Sequence, residues 1–308
     1  GVIIEEMNMY KDNPMHHVAN LFEEMLWQGS GLSHDIIGTR ETVGGVNRED
    51  FVSFLSRWYG HSNMLVVLAG DERVVMADSA RERVERAFAK PSEHERQEGK
   101  QPGNGLQKAG FISEQQLLVV ERPTEQAHIV LGWKGLRRGD DQRHALSMLS
   151  VVLGGSMSSR LFTEVREKRG LCYYVSSDTE QYRETGFFGA SAGVETKRVH
   201  EAIEVITAEF MDLASGKRPV TSVELDRAKE HVGGRMLLSF EDSRSVAQFY
   251  GMRQLLQDKI EDPDEVMRQI RAVSIADIQS LAAELMKEDQ LRLGVIGPFK
   301  EAEFARFV

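Results

Sequence analysis

The sequence predicts an α/β protein made of two related units in tandem, and three observations support this prediction. Apolar residues at helical spacing alternate along the chain with short apolar runs that end at glycine. A polar stretch containing Pro and Gly, at 91–110, separates two such regions. The end of the first region also matches the end of the second. We therefore expect the C-terminal part of one repeat at 1–90, a linker at 91–110, and a complete second repeat at 111–308.

The internal repeat is clearest where each region closes. The segment 46–70 aligns without a gap with the segment 273–297, an offset of 273 − 46 = 227 residues. Both copies begin with a capping signal, Asn47 in the first and Ser274 in the second, and run through a helix into an apolar strand. The second copy extends much further upstream of this shared ending than the first. We therefore expect the first repeat to be incomplete and the chain to be a fragment of a longer protein.

Local patterns predict the individual elements. In the first region we expect a helix at 14–28 divided from the opening residues by Pro14, a loop at 29–46, a helix at 47–58, a buried strand at 63–70 and a helix at 74–90. In the second region we expect strands at 116–121, 127–135, 171–177, 185–194 and 291–297, and helices at 141–155, 158–169, 199–213, from Thr221, and at 274–287.

Composition limits the classes of function. The net charge is −10 without a cluster of Lys and Arg, which argues against nucleic-acid binding. No run of 18 apolar residues occurs in the 308 residues, so we expect no membrane span. The single cysteine and the lack of a signal-peptide pattern favour a cytoplasmic bacterial location, and a truncated N-terminus would leave any targeting segment outside this sequence. Cys172 is the only cysteine, which excludes an intrachain disulfide, and its apolar surroundings are typical of a small buried residue rather than a nucleophile.

The opening of the chain is unusual. Three β-branched residues at 2–4 are followed directly by Glu5 and Glu6, without the polar lead-in that a native N-terminus usually has. A carboxylate beside such an apolar run is either solvated on a helix face or held by a cation or metal. The residues alone leave both interpretations open.

Several segments resemble the insulinase-type zinc peptidases, the family of pitrilysin and the mitochondrial processing peptidases. The segments that carry this resemblance are 2–7 with Asp12 and Pro14, Gly38-Thr39, 59–70, Gly154-Gly155, 158–161 and, most specifically, Arg166-Glu-Lys-x-Gly-Leu-x-Tyr173. Together they extend over nearly the whole chain. The resemblance implies two α/β units, each a mostly antiparallel or mixed sheet packed with helices, that face each other like a clamshell. In this family only the N-terminal half carries metal.

The resemblance also implies a zinc site, which this sequence contains only in part. The family's inverted motif, His-x-x-Glu-His, supplies two imidazole ligands and a general base, and a third ligand comes from a distant helix. None of the nine histidines lies in such a motif, and the adjacent His16 and His17 would point about 100° apart on a helix. The family pattern places Glu6 at the third-ligand position and Glu5 at the variable position before it. Zinc is therefore expected in the intact protein but not to bind well to this chain alone.

Arg166 and Tyr173 are the candidate catalytic residues. On residue types alone, an Arg and a Tyr at a helix–strand junction form a packing or ion-pair contact. The resemblance implies that they reach the bound peptide, orient the scissile carbonyl and stabilise the charge on its oxygen. Tyr174 is the rival of Tyr173; strand alternation sends the two to opposite faces, and the Leu-x-Tyr spacing selects Tyr173. Gly154-Gly155 is either a helix end or a close-approach turn at the cleft.

The resemblance implies a zinc-dependent endopeptidase that hydrolyses peptides or unfolded polypeptides, with this chain inactive by itself. The alternative is a non-catalytic, substrate-presenting partner subunit of a heteromeric peptidase of the same family. The family's shorter members form pairs, so we expect a homodimer or a heterodimer with a related chain. The retention of Glu6, Arg166 and Tyr173 favours the peptidase over the partner subunit.

Overall fold

A computed structural model of the chain describes residues 1–89, 113–257 and 260–308. The predicted linker at 91–110 lies outside the described residues.

Two compact units divide the described chain. Unit 1 contains the described residues of Gly1–Ile37, Leu106–Val232 and Pro263–Val308, and unit 2 contains those of Gly38–Gly105 and Gly233–Asp262. The units interleave along the sequence, whereas the predicted repeats follow one another. The repeat boundaries at 1–90 and 111–308 therefore do not coincide with the two compact units, and the repeats remain a prediction from the sequence.

Unit 1 is built on a five-stranded mixed sheet. Its strands are β1 (Leu117–Glu121), β2 (Gln126–Gly135), β3 (Cys172–Gln181), β4 (Gly186–Glu195) and β5 (Arg292–Gly297). They lie in the order β1-β5-β2-β4-β3, with β1 parallel to β5 and every other neighbouring pair antiparallel. The predicted α/β class with a mixed sheet is confirmed.

Helices account for most of the remaining described residues. In chain order they are α1 (Val2–Asp12), α2 (Pro14–Leu26), α3 (Arg40–Gly45), α4 (Arg48–Trp58), α5 (Glu72–Val75), α6 (Asp78–Ala87), α7 (Arg143–Gly154), α8 (Val199–Ala214), α9 (Ser222–Ser239), α10 (Ser243–Leu256), α11 (Pro263–Ala272) and α12 (Ile275–Leu285). A π-helical turn at Phe162–Glu167 replaces the short α-helix expected at 158–169. The predicted loop at 29–46 contains α3, and the helix predicted at 74–90 is divided into α5 and α6.

The two faces of the sheet are covered by different helices. On one face, Phe210 of α8 packs against Trp133 and Phe188, with ring centroids 5.2 and 5.6 Å apart. On the other face, Phe22 of α2 packs against Phe187 at 5.1 Å. The buried residues of α2 and of the position after it are Val18, Phe22, Met25, Leu26 and Trp27. Burial of apolar side chains on both faces stabilises the sheet and fixes α2 on it.

Asn13 and Pro14 separate α1 from α2, as predicted. The Asn13 side chain accepts a hydrogen bond from the backbone N–H of Met15 at 3.1 Å and so caps α2, while Pro14 occupies the first helical turn. The two helices are therefore distinct elements rather than one bent helix.

An ion pair between buried Arg160 and half-buried Glu224 holds the start of α9 in unit 1. The Arg160 guanidinium donates to both carboxylate oxygens of Glu224, at 2.7 and 2.9 Å, and to the carbonyl oxygens of Arg218 and Pro219. Glu224 also completes the predicted capping box, since it accepts from the backbone N–H of Thr221 at 2.8 Å. All of these donors are satisfied, which is the condition under which a buried charge is tolerated.

The buried strand predicted at 63–70 is wrong. This segment of unit 2 contains no strand, and Met64, Leu65, Val66 and Leu68 are exposed. A strand needs a neighbouring strand to bond its backbone groups, and the described part of unit 2 offers none. The apolar run at 63–70 therefore has no neighbouring strand to pair with among the described residues of unit 2.

Candidate active site

Glu6 lies on the exposed side of α1. Met7 is the only buried residue of this helix, so α1 contacts the rest of unit 1 through a narrow apolar stripe. Glu6 makes no ion pair or hydrogen bond with another side chain in the part of the chain that the structure describes. Its carboxylate is consequently available to a ligand from solvent.

Arg122 anchors the C-terminus of α1. Its Nη1 donates to the carbonyl oxygen of Lys11 at 2.6 Å, and its Nη2 lies 3.8 Å from a carboxylate oxygen of Asp12. The backbone N–H of Arg122 donates to the carbonyl oxygen of Gly297 at 2.8 Å, directly after β1 and β5 end. Because the last carbonyls of a helix lack partners and carry partial negative charge, this cation stabilises the helix end and fixes it to the sheet.

The residues present do not assemble a zinc site on their own. Among residues 1–89, 113–257 and 260–308, no group of three or more His, Cys, Asp and Glu side chains is arranged to hold a metal ion. His16 packs edge-on against the Tyr10 ring at 6.4 Å, and the pKa of His17 is lowered by burial and by the charges of Arg122 and Lys11. Glu6 could contribute one ligand, and one carboxylate is too few for tight zinc binding.

Arg166 lies in the π-helical turn Phe162–Glu167. In this turn the backbone N–H of Lys168 donates to the carbonyl oxygen of Thr163 at 3.0 Å, a spacing of five residues instead of four. The Arg166 guanidinium carbon lies 5.0 Å from the centroid of the Phe162 ring, and the residue is exposed. The guanidinium lies over the face of the Phe162 ring, a contact that leaves its N–H groups free to donate elsewhere.

Tyr173 lies at a β-bulge. Cys172 pairs with Val194, and Tyr174 pairs with the next residue of β4, Gly193, so Tyr173 is an extra residue on β3. Its side chain is 65% exposed. Such bulges direct a side chain away from the regular alternation of a strand.

The π-helical turn and the bulge meet at one junction. The backbone N–H of Gly170 donates to the carbonyl oxygen of Arg166 at 3.1 Å, and the N–H of Leu171 donates to that of Val165 at 2.9 Å. Gly170 adopts a φ of 59°, which allows the sharp reversal from helix to strand. Arg166 and Tyr173 therefore project from adjoining backbone segments, whereas no hydrogen bond or ion pair joins Glu6 to either of them among the described residues.

Tyr174 has a different environment from Tyr173. It is half-buried, and its hydroxyl lies 3.2 Å from Nδ1 of His128 on β2. The alternation argument that separated the two tyrosines does not apply, because the register shifts between Cys172 and Tyr174. Their difference in exposure comes from the bulge and from the contact with His128.

Gly154 allows α7 to approach β3 closely, and Gly155 ends α7. A Cβ atom at Gly154 would overlap the backbone nitrogen of Ser177, and one at Gly155 would lie 2.7 Å from the Cα of Val151. The Ser177 hydroxyl donates to the carbonyl oxygen of Ser150 at 2.6 Å, which binds the strand to the helix. Gly154 thus serves close helix–strand packing that fixes the strand bearing Tyr173, whereas Gly155 leaves room for the last turn of α7 itself.

Cys172 is a buried free thiol. Burial raises its pKa to about 11, and the nearby charge of Arg166 opposes that shift only in part. A thiol with so high a pKa is protonated at neutral pH and is a poor nucleophile, as expected from its apolar surroundings.

A polar stripe beside Tyr174 was not predicted. The Ser176 hydroxyl lies 3.3 Å from that of Ser191 and 3.4 Å from a carboxylate oxygen of Asp178. Burial raises the pKa of Asp178, and hydrogen bonds from Ser191 and Ser176 oppose the rise. Positions 174, 176 and 178 lie two apart and therefore share one face of the strand, but the sequence gives no alternation there because 176–181 is polar throughout.

Comparisons with known proteins place the chain in a family. A family model described as "Peptidase M16 inactive domain" matches residues 45–232. A protein of Bacillus subtilis named an uncharacterized zinc protease is 34% identical over 299 residues, which cover 97% of this chain and 69% of that protein. A protein of Streptomyces coelicolor with the same description is 30% identical over 307 residues, covering 99% of this chain and 65% of the relative. The chain thus spans about two thirds of the length of these relatives.

Solved structures share the fold. A protease from Helicobacter pylori matches with a TM-score of 0.84 and 21% identity, over 96% of this chain and 70% of that one. A peptidase M16 inactive domain from Pseudomonas fluorescens matches with a TM-score of 0.81 and 18% identity, over 97% of this chain and 69% of that one. Within the described ranges, no helix has the length and apolar character needed to cross a membrane. The chain is a member of the peptidase M16 family, which confirms the resemblance to the insulinase-type peptidases.

Proposed function

We propose that this chain is part of a zinc-dependent endopeptidase, to which it contributes one metal ligand, Glu6, and two residues that hold the scissile peptide group, Arg166 and Tyr173. The observation that carries the proposal is the junction at which an exposed guanidinium and an exposed phenol project from a π-helical turn and an adjoining bulge. Membership of a peptidase family and relatives named zinc proteases support it.

The chemistry of the junction suits an acyl oxygen. A guanidinium offers several N–H donors and a phenol offers one O–H, and both can converge on the carbonyl oxygen of a peptide bond. As that carbon becomes tetrahedral, negative charge develops on the oxygen and strengthens both hydrogen bonds. Arg166 and Tyr173 would therefore stabilise the transition state more than the bound substrate. The described residues do not form the zinc site by themselves, so Glu6 would hold the metal together with ligands from the rest of the protein.

The proposal extends to the ligands that this chain lacks. We propose that the first repeat is incomplete at 1–90 and that the remainder of the protein carries His-x-x-Glu-His, which Glu6 would join. In this proposal the substrate is an extended peptide or an unfolded polypeptide, bound between the two repeats of the intact protein. The intact protein forms a homodimer or a heterodimer with a related chain. We also propose a cytoplasmic location in a bacterium, the group of organisms to which these relatives belong.

Substitutions at the junction test the catalytic role in the longest protein that contains this chain. With an internally quenched, unstructured peptide as substrate, Tyr173→Phe and Arg166→Gln should each lower kcat by roughly 10²–10³ with little change in KM. Tyr59→Phe and Arg183→Gln, which alter other exposed residues of the same types, are the matched controls. Unchanged kcat in both test variants would exclude the junction from catalysis.

A zinc titration of the longest protein that contains this chain tests Glu6 separately. Glu6→Gln keeps the size of the side chain but removes a charged ligand, so zinc affinity should fall by at least tenfold. Glu5→Gln, on the adjacent residue of α1, should leave the affinity unchanged. Equal affinities for the two variants would contradict the assignment of Glu6.

The second candidate function is a non-catalytic, substrate-presenting partner subunit of a peptidase of the same family. The family model that matches residues 45–232 is described as an inactive domain, which favours this alternative. It predicts that the longest protein containing this chain cleaves the quenched peptide only after a related, metal-bearing chain is added. Cleavage by the purified protein alone, abolished by a chelator and restored by zinc, would decide for the peptidase.

A further inference from the structure

Three residues on adjacent strands lie in one row beside the bulge. In the register of the sheet, Tyr174 on β3 is opposite Gly193 on β4, and Gly193 is opposite His128 on β2. Residues opposite one another on neighbouring strands share a face of the sheet. Tyr174 and His128 are therefore separated by a single strand, at a position where that strand has no side chain.

Gly193 lets the tyrosine extend across the central strand. A Cβ atom at Gly193 would overlap Cε1 of the Tyr174 ring, so any other residue there would displace the ring. Over glycine, the ring extends across β4, and its hydroxyl reaches Nδ1 of His128 at 3.2 Å. The rings of Tyr174 and His128 have centroids 6.1 Å apart and are inclined by 32°, so they do not stack and the contact is made by the polar atoms.

The imidazole is suited to this contact. His128 is half-buried, and its burial lowers the pKa of the ring and favours the neutral form. A neutral imidazole has one nitrogen that can accept a hydrogen bond from the Tyr174 hydroxyl. The contact thus satisfies two polar groups that are partly withdrawn from water.

The row matters because two tyrosines compete for one position. Tyr173 and Tyr174 are adjacent, and the bulge leaves one of them opposite Gly193 and the other unpaired. A shift of the bulge by one residue would exchange their positions, and register is weakly specified where glycine offers no side chain to pack. A bond that only the tyrosine opposite Gly193 can make would select one register over the other.

We propose that Tyr174, Gly193 and His128 form a register lock that fixes the bulge and thereby presents Tyr173 to the substrate. Tyr174 and His128 are positioning residues in this proposal and touch no substrate. The presentation of Tyr173 rests on the proposed function; the register lock itself rests only on the sheet geometry.

Hydrogen exchange of the 308-residue chain tests the register lock without any assay of activity. Tyr174→Phe and His128→Leu each remove the hydroxyl–imidazole bond, so backbone amides at 172–175 should exchange about three- to tenfold faster than in the wild type. His128→Asn can restore an acceptor near the position of Nδ1 and should return exchange toward the wild-type rate. Tyr182→Phe removes a hydroxyl that bonds Glu23 on the same sheet face and is the matched control. Unchanged exchange in both Tyr174→Phe and His128→Leu would overturn the proposal.

A double-mutant cycle in the longest protein tests whether the register lock acts through Tyr173. With the quenched peptide, Tyr174→Phe should lower kcat by roughly three- to tenfold with KM retained, and should lower it no further in the Tyr173→Phe background. Fully additive losses would contradict a positioning role. If Tyr173→Phe leaves kcat unchanged while amide exchange responds as expected, the catalytic role of Tyr173 fails and the register lock stands.

Discussion

The two copies of the helix–strand ending occur in different environments. In unit 1, Ile278, Leu281 and Ala282 of α12 are all 0% exposed, and β5 is paired on both sides. In unit 2, the aligned residues of α4 have the same spacing but not the same burial. Those residues, Phe51, Phe54 and Leu55, are 62%, 56% and 43% exposed. The segment aligned with β5, at 65–70, is unpaired in the described part of unit 2.

The difference in burial between α4 and α12 shows which features need only neighbouring residues and which need other elements of the fold. Both helices begin with a complete capping box, Asn47 with Asp50 and Ser274 with Asp277, because a cap needs only residues within one turn. Burial and strand pairing need surfaces from elsewhere in the fold. The exposed apolar face of α4 accords with the proposal that the first repeat is incomplete.

Equivalent truncations in the two helices should give the largest contrast. Leu281→Ala removes a fully buried side chain and should lower the free energy of unfolding by about 2–5 kcal/mol. Phe54→Ala, at the aligned position, removes an exposed side chain, and its cost should stay below about 1 kcal/mol. Urea unfolding of the two variants measures both values. Equal costs would show that α4 is packed in solution.

Acid should weaken unit 1 through Glu224. Burial acts to raise the pKa of this carboxyl, but hydrogen bonds from Arg160 and Thr221 and the charge of Arg160 outweigh it and lower the pKa from 4.5 to about 2. The lowered pKa means that the pair stabilises the fold above pH 4.5, and this contribution is lost as the pH falls toward 2. The stability difference between wild type and Glu224→Gln should therefore shrink between pH 5 and 2, as followed by urea unfolding.

Unit 2 supplies the control for that titration. Arg73 lowers the pKa of Asp71 through hydrogen bonds, but this pair is fully exposed, and water and salt screen it. Asp71→Asn should leave the acid dependence of unfolding unchanged. A dependence that disappears in Asp71→Asn but persists in Glu224→Gln would contradict the assignment to the buried pair.

The smallest predicted effect concerns the caps, and here the two units should agree. Ser274→Ala and Asn47→Ala each leave donors at a helix N-terminus without a partner, so each should destabilise its own helix by about 1 kcal/mol. Native-state hydrogen exchange in α12 and α4 measures the two local effects separately. A much larger loss at Ser274 than at Asn47 would mean that burial and capping are coupled in unit 1.

Elements governed by local rules were predicted well. The capping residues, the break at Pro14 and the strands of the second region all follow from side chains within a few positions of one another. The strand expected at 63–70 was wrong because its apolar run specifies burial without specifying a partner. The bulge at Tyr173 and the contact of Tyr174 with His128 join residues far apart in sequence, and no local pattern indicates them.

The residues of the candidate site also differ in how far the sequence alone could assign them. Residue types and spacing alone left Glu6 and Arg166 open between structural and functional roles, and the resemblance to a family supplied their assignments. Strand alternation predicted distinct surroundings for Tyr173 and Tyr174, and the structure gives them distinct surroundings for another reason, the register shift between Cys172 and Tyr174.

The π-helical turn makes the direction of Arg166 depend on the number of residues before it rather than only on their identity. A turn that spans five residues rather than four holds one residue more than an α-helical turn. If the same residues formed a regular α-helix, everything beyond the turn would rotate by about 100° relative to what precedes it, whereas deleting one residue, for example Thr163, would let a regular α-helix keep the present direction. Substitution scans conserve length and would not reveal this dependence, so a comparison of related chains should attend to insertions and deletions here.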